Sequence, residues 1–205
     1  MNDSVYAPPK SDLTNTRASA NTPFYVVSPF KMMVLFLATI GTYQLYWHYE
    51  NWRLFKLRSQ IEGTSGAKVW PVPRAVFSLF FVHALLRHVK RRAVAENRDT
   101  GFNSTLHASL MLLLMLSGTV LGNFPEASPY LIPATVIALI LLVPTMFVYR
   151  AVQTFINQTC GDPLGAANDT FTVANYLWIA FGVLVWLGLA AGGAALLFGQ
   201  SGEGV

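Results

Sequence analysis

Leu106-His107-Ala108-Ser109-Leu110-Met111-Leu112-Leu113-Leu114-Met115-Leu116-Ser117-Gly118-Thr119-Val120-Leu121-Gly122 contains no Asp, Glu, Lys or Arg. A helix on a soluble core turns a polar face to water every few residues, and this run has none. Its length approaches the roughly 20 helical residues needed to cross about 30 Å of hydrocarbon. Runs of the same kind lie on either side, at residues 29–50, 130–149 and 173–198, with no charge at their centres. Composition agrees: 53% of the 205 residues are hydrophobic and 12% charged, against roughly 25% charged in soluble domains.

These runs predict an all-α, polytopic helical membrane protein with four clear transmembrane helices and one short interfacial or re-entrant helix. The short helix is expected over residues 73–90, because its apolar stretch is bounded by Arg74 and Arg87 and is too short to span. Residues 1–23 read as a disordered polar tail and residues 24–205 as a single membrane domain. The tail has no apolar centre, so the first span is expected to act as an uncleaved signal. That span opens at Ser28-Pro29, an N-cap followed by proline. It ends in Tyr43, Tyr46, Trp47, Tyr49 and Trp52, rings expected to mark one membrane face. Lys31 is expected to extend its ammonium back to water, and Pro144 to kink the third span if the helix continues through it.

Ten of the fourteen Lys and Arg residues fall between Arg53 and Arg98. With four spans, eleven basic residues share one side and three the other; a fifth span at residues 75–86 changes the split to nine against five. The positive-inside rule favours four. Either choice makes residues 87–98 and Arg150 cytoplasmic, and puts the short connection at residues 123–129 and the C-terminus outside.

Thr39-Ile40-Gly41-Thr42-Tyr43-Gln44-Leu45-Tyr46-Trp47 has the form Thr-x-Gly-x-Tyr-x-x-Tyr-Trp. It resembles the signature of an uncharacterised family of small bacterial multi-span membrane proteins, classed as a domain of unknown function. Phe24-Tyr25-Val26-Val27-Ser28-Pro29 and Phe171-Thr172-Val173-Ala174-Asn175-Tyr176-Leu177-Trp178 are similar to members of that group as well. The resemblance implies a bacterial inner membrane and brings no activity with it.

Within the motif, Thr39, Tyr43, Tyr46, Glu50 and Arg53 fall on one face of a continuous helix. This candidate polar stripe turns inward, toward other helices or a small vestibule. Gly41, Gly118, Gly122, Gly188 and Gly192 are candidate packing positions, the last four at Gly-x-x-x-Gly spacing. They serve either packing within the chain or self-association. Arg87, Lys90, Arg91 and Arg92 are candidate contacts for anionic lipid headgroups.

No catalytic residue, cofactor site or metal site is expected. His83 and His88 do not share a helical face, no His-Glu-x-x-His motif is present, and the single Cys160 cannot pair. The Asn-x-Ser/Thr sequons at Asn2, Asn103, Asn157 and Asn168 are expected to be incidental. No nucleic-acid-binding fold accompanies the basic residues. The leading functional expectation is a non-enzymatic integral inner-membrane protein of structural, accessory or interaction type. Its partners would be the lipid bilayer and its anionic headgroups, with a membrane-protein partner or a homo-oligomer. A small oligomeric transporter or channel-like protein is the alternative, and a membrane-embedded enzyme acting on lipids the third.

Overall fold

A computed structural model describes residues 22–125 and 128–199. The expected tail lies, for residues 1–21, outside the described residues, as do Glu126, Ala127 and residues 200–205. Every regular element among the described residues is helical: α1 (Pro29–Ala38), α2 (Tyr43–Ile61), α3 (Pro71–Val76), α4 (Ser78–Ala95), α5 (Ser104–Leu121), α6 (Leu131–Cys160) and α7 (Val173–Gly199). Two short 3₁₀ turns, Ser65–Lys68 and Ala166–Asn168, sit in the connections.

Three helices are long and apolar enough to cross a membrane: α5, α6 and the Val173–Ala195 part of α7. Asn103 starts α5, its Oδ1 accepting from the Leu106 N–H at 2.9 Å. α6 does not stop near Tyr149 as expected but continues through Pro144 to Cys160. Its 30 residues reach about 45 Å, well beyond an apolar layer. The two halves differ accordingly. Ile132, Val136, Ile137, Ile140 and Val143 are exposed apolar residues, whereas Val152, Gln153, Phe155, Ile156 and Asn157 are buried. α6 therefore ends inside a packed head, where α5 and α7 begin.

The span expected over residues 29–50 is not one helix. α1 has 10 residues, about 15 Å, and cannot cross alone. Ile40 (φ 51°) and Gly41 (φ 78°) adopt left-handed conformations in succession and reverse the chain. The Ile40 N–H donates to the Leu37 carbonyl at 3.2 Å and the Gly41 N–H to Phe36 at 2.8 Å, the hydrogen-bond pattern of a Schellman stop. Glycine suits such a position; isoleucine is strained there. Thr39 then restarts the helix, its Oγ1 accepting from the Tyr43 N–H at 3.0 Å while donating to the Leu35 carbonyl at 2.8 Å.

Contacts along α6 fix the directions of the two arms. Val27 meets Asn157, the Phe36 ring lies 5.5 Å from Tyr149, and the Gly41 position abuts Leu142. Returning, Gln44 meets Tyr149 and Trp47 meets Gln153. α1 and α2 thus form a hairpin with both ends at the head and its tip about 22 Å down α6.

The short helix expected over residues 73–90 is also a hairpin, α3 and α4 meeting at Phe77. Arg74 lies over the Trp52 ring at 4.4 Å, while Val76 and Phe77 border the same cleft as Gln44 and Leu45. α4 then returns antiparallel to α5: His83 Nε2 is 3.2 Å from Ser109 Oγ, and the Lys90 ammonium donates to the Phe102 carbonyl at 3.0 Å. It continues to Ala95 because Arg92 pairs with Glu62 and Glu96, so the basic residues remain in helix.

α7 is attached mainly through α1. Trp186 Nε1 donates to the Leu37 carbonyl at 3.0 Å, and a Cβ on Gly182 would fall on the Ala38 carbonyl. Gly118, Gly188 and Gly192 have open space where a Cβ would stand, and Gly122 meets only the Gly118 carbonyl. Among the described residues these four do not hold two helices together. Gly182, not singled out by spacing, does. Gly182→Val is expected to destabilise the detergent-solubilised protein by about 1–3 kcal/mol in thermal unfolding, with Gly188→Val near wild type.

Candidate functional site

Residues 24–27 are buried without belonging to any helix, an arrangement that leaves backbone polar groups needing partners. Side-chain amides supply them. The Tyr25 N–H donates to Asn51 Oδ1 at 3.2 Å, and Gln153 Nε2 donates to the Tyr25 carbonyl at 2.9 Å. Asn157 pairs with Val27 both ways, accepting its N–H at 3.4 Å and donating to its carbonyl at 2.9 Å. Asn168 Nδ2 donates to the Val26 carbonyl at 3.0 Å, and the Ser28 N–H donates to the Asn168 carbonyl at 3.1 Å. The amides also bind one another: Gln153 Nε2 donates to Asn157 Oδ1 at 2.7 Å, and Trp47 Nε1 donates to Gln153 Oε1 at 2.5 Å. Lys31 closes the end of this clasp, its ammonium 2.6 Å from Asn168 Oδ1 and 2.7 Å from the Thr170 carbonyl. It is buried there rather than extended to water as expected.

Below the clasp lies a second polar chain. The Tyr149 hydroxyl donates to Gln44 Oε1 at 3.0 Å and sits 3.0 Å from His48 Nε2. Since that hydroxyl has one proton, His48 Nε2 is the donor to it, and His48 Nδ1 is left buried without a partner. Gln44 also lines a cleft of about 540 Å³ between the two hairpin tips and the facing sides of α5 and α6. Ile40 and Gly41 form one edge, Phe77 another, and Met115 and Leu142 the walls; Gly118, lacking a side chain, leaves space there. Neither carboxylate nor base borders it.

The expected stripe separates into three parts. Thr39 belongs to the turn. Tyr43 and Tyr46 pack on Tyr25, with the Tyr25 and Tyr43 hydroxyls 3.2 Å apart and the Tyr25 and Tyr46 rings 5.8 Å apart. Glu50 holds Arg53 through both carboxylate oxygens, the shortest contact 2.7 Å. None of these lines the cleft.

Of the expected headgroup contacts, Lys90 pairs with Asp99 at 2.7 Å and Arg92 with Glu62 and Glu96. Arg87 and Arg91 are exposed and make no ion pair among the described residues. Glu62 Oε1 accepts from both Arg58 Nε and Arg92 Nη1 at 2.7 Å. The Arg92 and Arg58 guanidinium groups hold its carboxyl below the ordinary value.

Sequence reasoning missed the clasp. Gln153 and Asn157 stand four residues apart on one helical face, a signal that was present; their partner, the backbone of residues 24–28, carries none. No group of three or more metal-ligating side chains occurs among the described residues. Comparison with known proteins finds no matching family model, curated relative or solved structure.

Replacing Asn157 or Gln153 by Leu strands backbone groups of the buried strap. Each change is expected to cost about 1–3 kcal/mol in chemical unfolding, while Thr154→Ala, on the exposed side of the same turn, stays within about 0.5 kcal/mol. The Glu62 clamp has a sign of its own. A carboxyl held low when folded stabilises fully above its ordinary value near 4.5, and that contribution is lost as pH falls through the folded value. Acidification from about pH 6 to about pH 3 is expected to lower the melting temperature more in wild type than in Glu62→Gln.

Proposed function

We propose that this chain is an integral membrane protein without catalysis of its own, of accessory or interaction type. It has three spans, α5 to α7, and two re-entrant hairpins, α1–α2 and α3–α4, that enter from the cytoplasmic side. Its head would lie at the anionic headgroups, and the cleft between the hairpin tips would receive an apolar segment from the surrounding bilayer or a partner.

The observation that carries this reading is the distribution of charge. Residues 99–149 and 151–205 contain no Lys or Arg. Those of the described residues lie mostly on α2, α3, α4 and the turns that follow α2 and α4, with Lys31 on α1 and Arg150 on α6. A re-entrant first hairpin puts the N-terminal side with the basic loop, so all fourteen basic residues of the sequence share one side. This is a sharper asymmetry than a four-span arrangement allows. Irregular backbone at membrane depth is tolerated where protein buries it, as the packing of Gly41 between Phe36 and Leu142 permits.

The transporter alternative loses its proposed lining, because Tyr43 and Tyr46 are engaged with Tyr25 and lie away from the cleft. The two histidines on which the lipid-enzyme reading relied are engaged separately. His88 packs on Phe55 at 4.3 Å while His83 faces Ser109.

In a Cys160→Ala background, single cysteines at Lys68, Asp99 and Asn123 can be probed with an impermeant maleimide beside an N-terminal reporter. The N-terminus, position 68 and position 99 are expected on one side and position 123 on the other. An N-terminus opposite position 68 means that α1–α2 crosses, and removes the re-entrant reading.

A further inference from the structure

The head carries a pocket of about 310 Å³ between the end of α2, the turn after it and the second half of α4. Arg58, Arg91, Arg92 and His88 border it, with Ser65 at the rim. Its geometry is that of a site for an anionic oxygen. Two guanidinium groups from different helices converge on one atom, Glu62 Oε1, at 2.7 Å each, so the protein's own carboxylate occupies the position an anion would take. Donors remain unused around that point. Arg91 has no ion-pair partner among the described residues, and Arg92 Nε is buried without an acceptor. Positive potential is in excess as well. Burial first, and then the charge of Arg91 before any other, hold the His88 imidazole below its ordinary value.

The surroundings select among anions. Lys90, next to Arg91 in the sequence, reaches the Phe102 carbonyl just before the α5 span opens at Ser104. The pocket is therefore level with the point where α5 enters its apolar stretch. Seven residues back from His88 on the same face of α4 is Phe81, half-buried with the Arg74 guanidinium 5.0 Å from its ring centre, and Phe77, 56% exposed, stands at the bend just before α4. A polar pocket with an apolar track running down from it matches a phosphate attached to acyl chains.

We propose that this pocket binds the phosphate of one anionic phospholipid. Arg91, Arg92 and Arg58 supply the cations, and the acyl chains lie along Phe81 and Phe77. The proposal rests on the reading that the head faces the bilayer surface. It goes further in requiring a particular site rather than a general basic face.

Native mass spectrometry of the full chain in mild detergent, with added phosphatidylglycerol or phosphatidylcholine, tests it. Wild type is expected to retain phosphatidylglycerol in preference. Arg91→Gln should lower that retention about fivefold, as loss of one surface cation allows. Arg87→Gln, on the same helix but outside the pocket, should change it less than twofold. Glu62→Gln should raise retention by releasing two guanidinium groups, a gain that a misfolded variant would not give. Equal losses in Arg91→Gln and Arg87→Gln overturn the site while leaving the general lipid-facing reading intact. Equal retention of the two lipids by wild type overturns both. Displacement of phosphatidylglycerol by millimolar inorganic phosphate overturns the lipid as the source of the anion.

Discussion

Non-helical backbone inside an apolar packing keeps its N–H and C=O groups unsatisfied unless something reaches them, and residues 25–27 are reached by side-chain amides. Asn51 comes from α2, Gln153 and Asn157 from the far end of α6, and Asn168 from the loop before α7. An isolated backbone group buried without a partner costs a few kcal/mol. The strap therefore cannot occupy its place unless these three elements are already together. Conversely, the amides have few other uses: Gln153 and Asn157 are fully buried and point at the strap and at each other. This mutual requirement ties the N-terminal segment to the C-terminal half of the chain more tightly than apolar contact alone would.

The hairpin geometry follows from that attachment. With Val27 fixed at Asn157, a helix of 10 residues starting at Pro29 can descend only part of α6. Its exposed last carbonyls must be satisfied at that depth. The Ile40 and Gly41 N–H groups meet two of them, and Trp186 of α7 adds a donor to Leu37. The left-handed Ile40 is an unfavourable conformation for a β-branched residue, accepted where a whole turn of structure depends on reversing direction. The Thr-x-Gly-x-Tyr pattern acquires a mechanical meaning here. Thr39 caps the returning helix, Gly41 fits beneath Leu142, and Tyr43 meets Tyr25 of the strap.

The three long helices were legible because an unbroken apolar run of sufficient length has few alternatives. The first span was misread for a related reason. Residues 29–50 are continuous in hydropathy, and the reversal at residues 40 and 41 rests on backbone hydrogen bonds that composition does not record. The expected stripe loses only Thr39 from its helix for the same reason, since the spacing of Thr39 from Tyr43 has its helical meaning only if the helix is unbroken; Tyr43, Tyr46, Glu50 and Arg53 all lie on α2. Asn157 and Asn168 stood out only as incidental sequons, and Gln153 not at all. A polar residue on an amphipathic helix ordinarily faces water, and the strap that buries these is more than 100 residues away in sequence. Small-residue spacing pointed to Gly118, Gly122, Gly188 and Gly192, yet the close approach occurs at Gly182, where the neighbour is the end of α1.

The strap's dependence on side-chain amides is open to direct measurement by amide hydrogen exchange on the detergent-solubilised or nanodisc-embedded chain. The Tyr25 and Val27 N–H groups are expected to exchange as slowly as the buried core of α6 around Gln153 and Asn157, because their release requires the clasp to open. Exchange of these two amides at the rate of a freely exposed segment, with α6 still protected, would contradict the clasp as the interaction that holds the fold together.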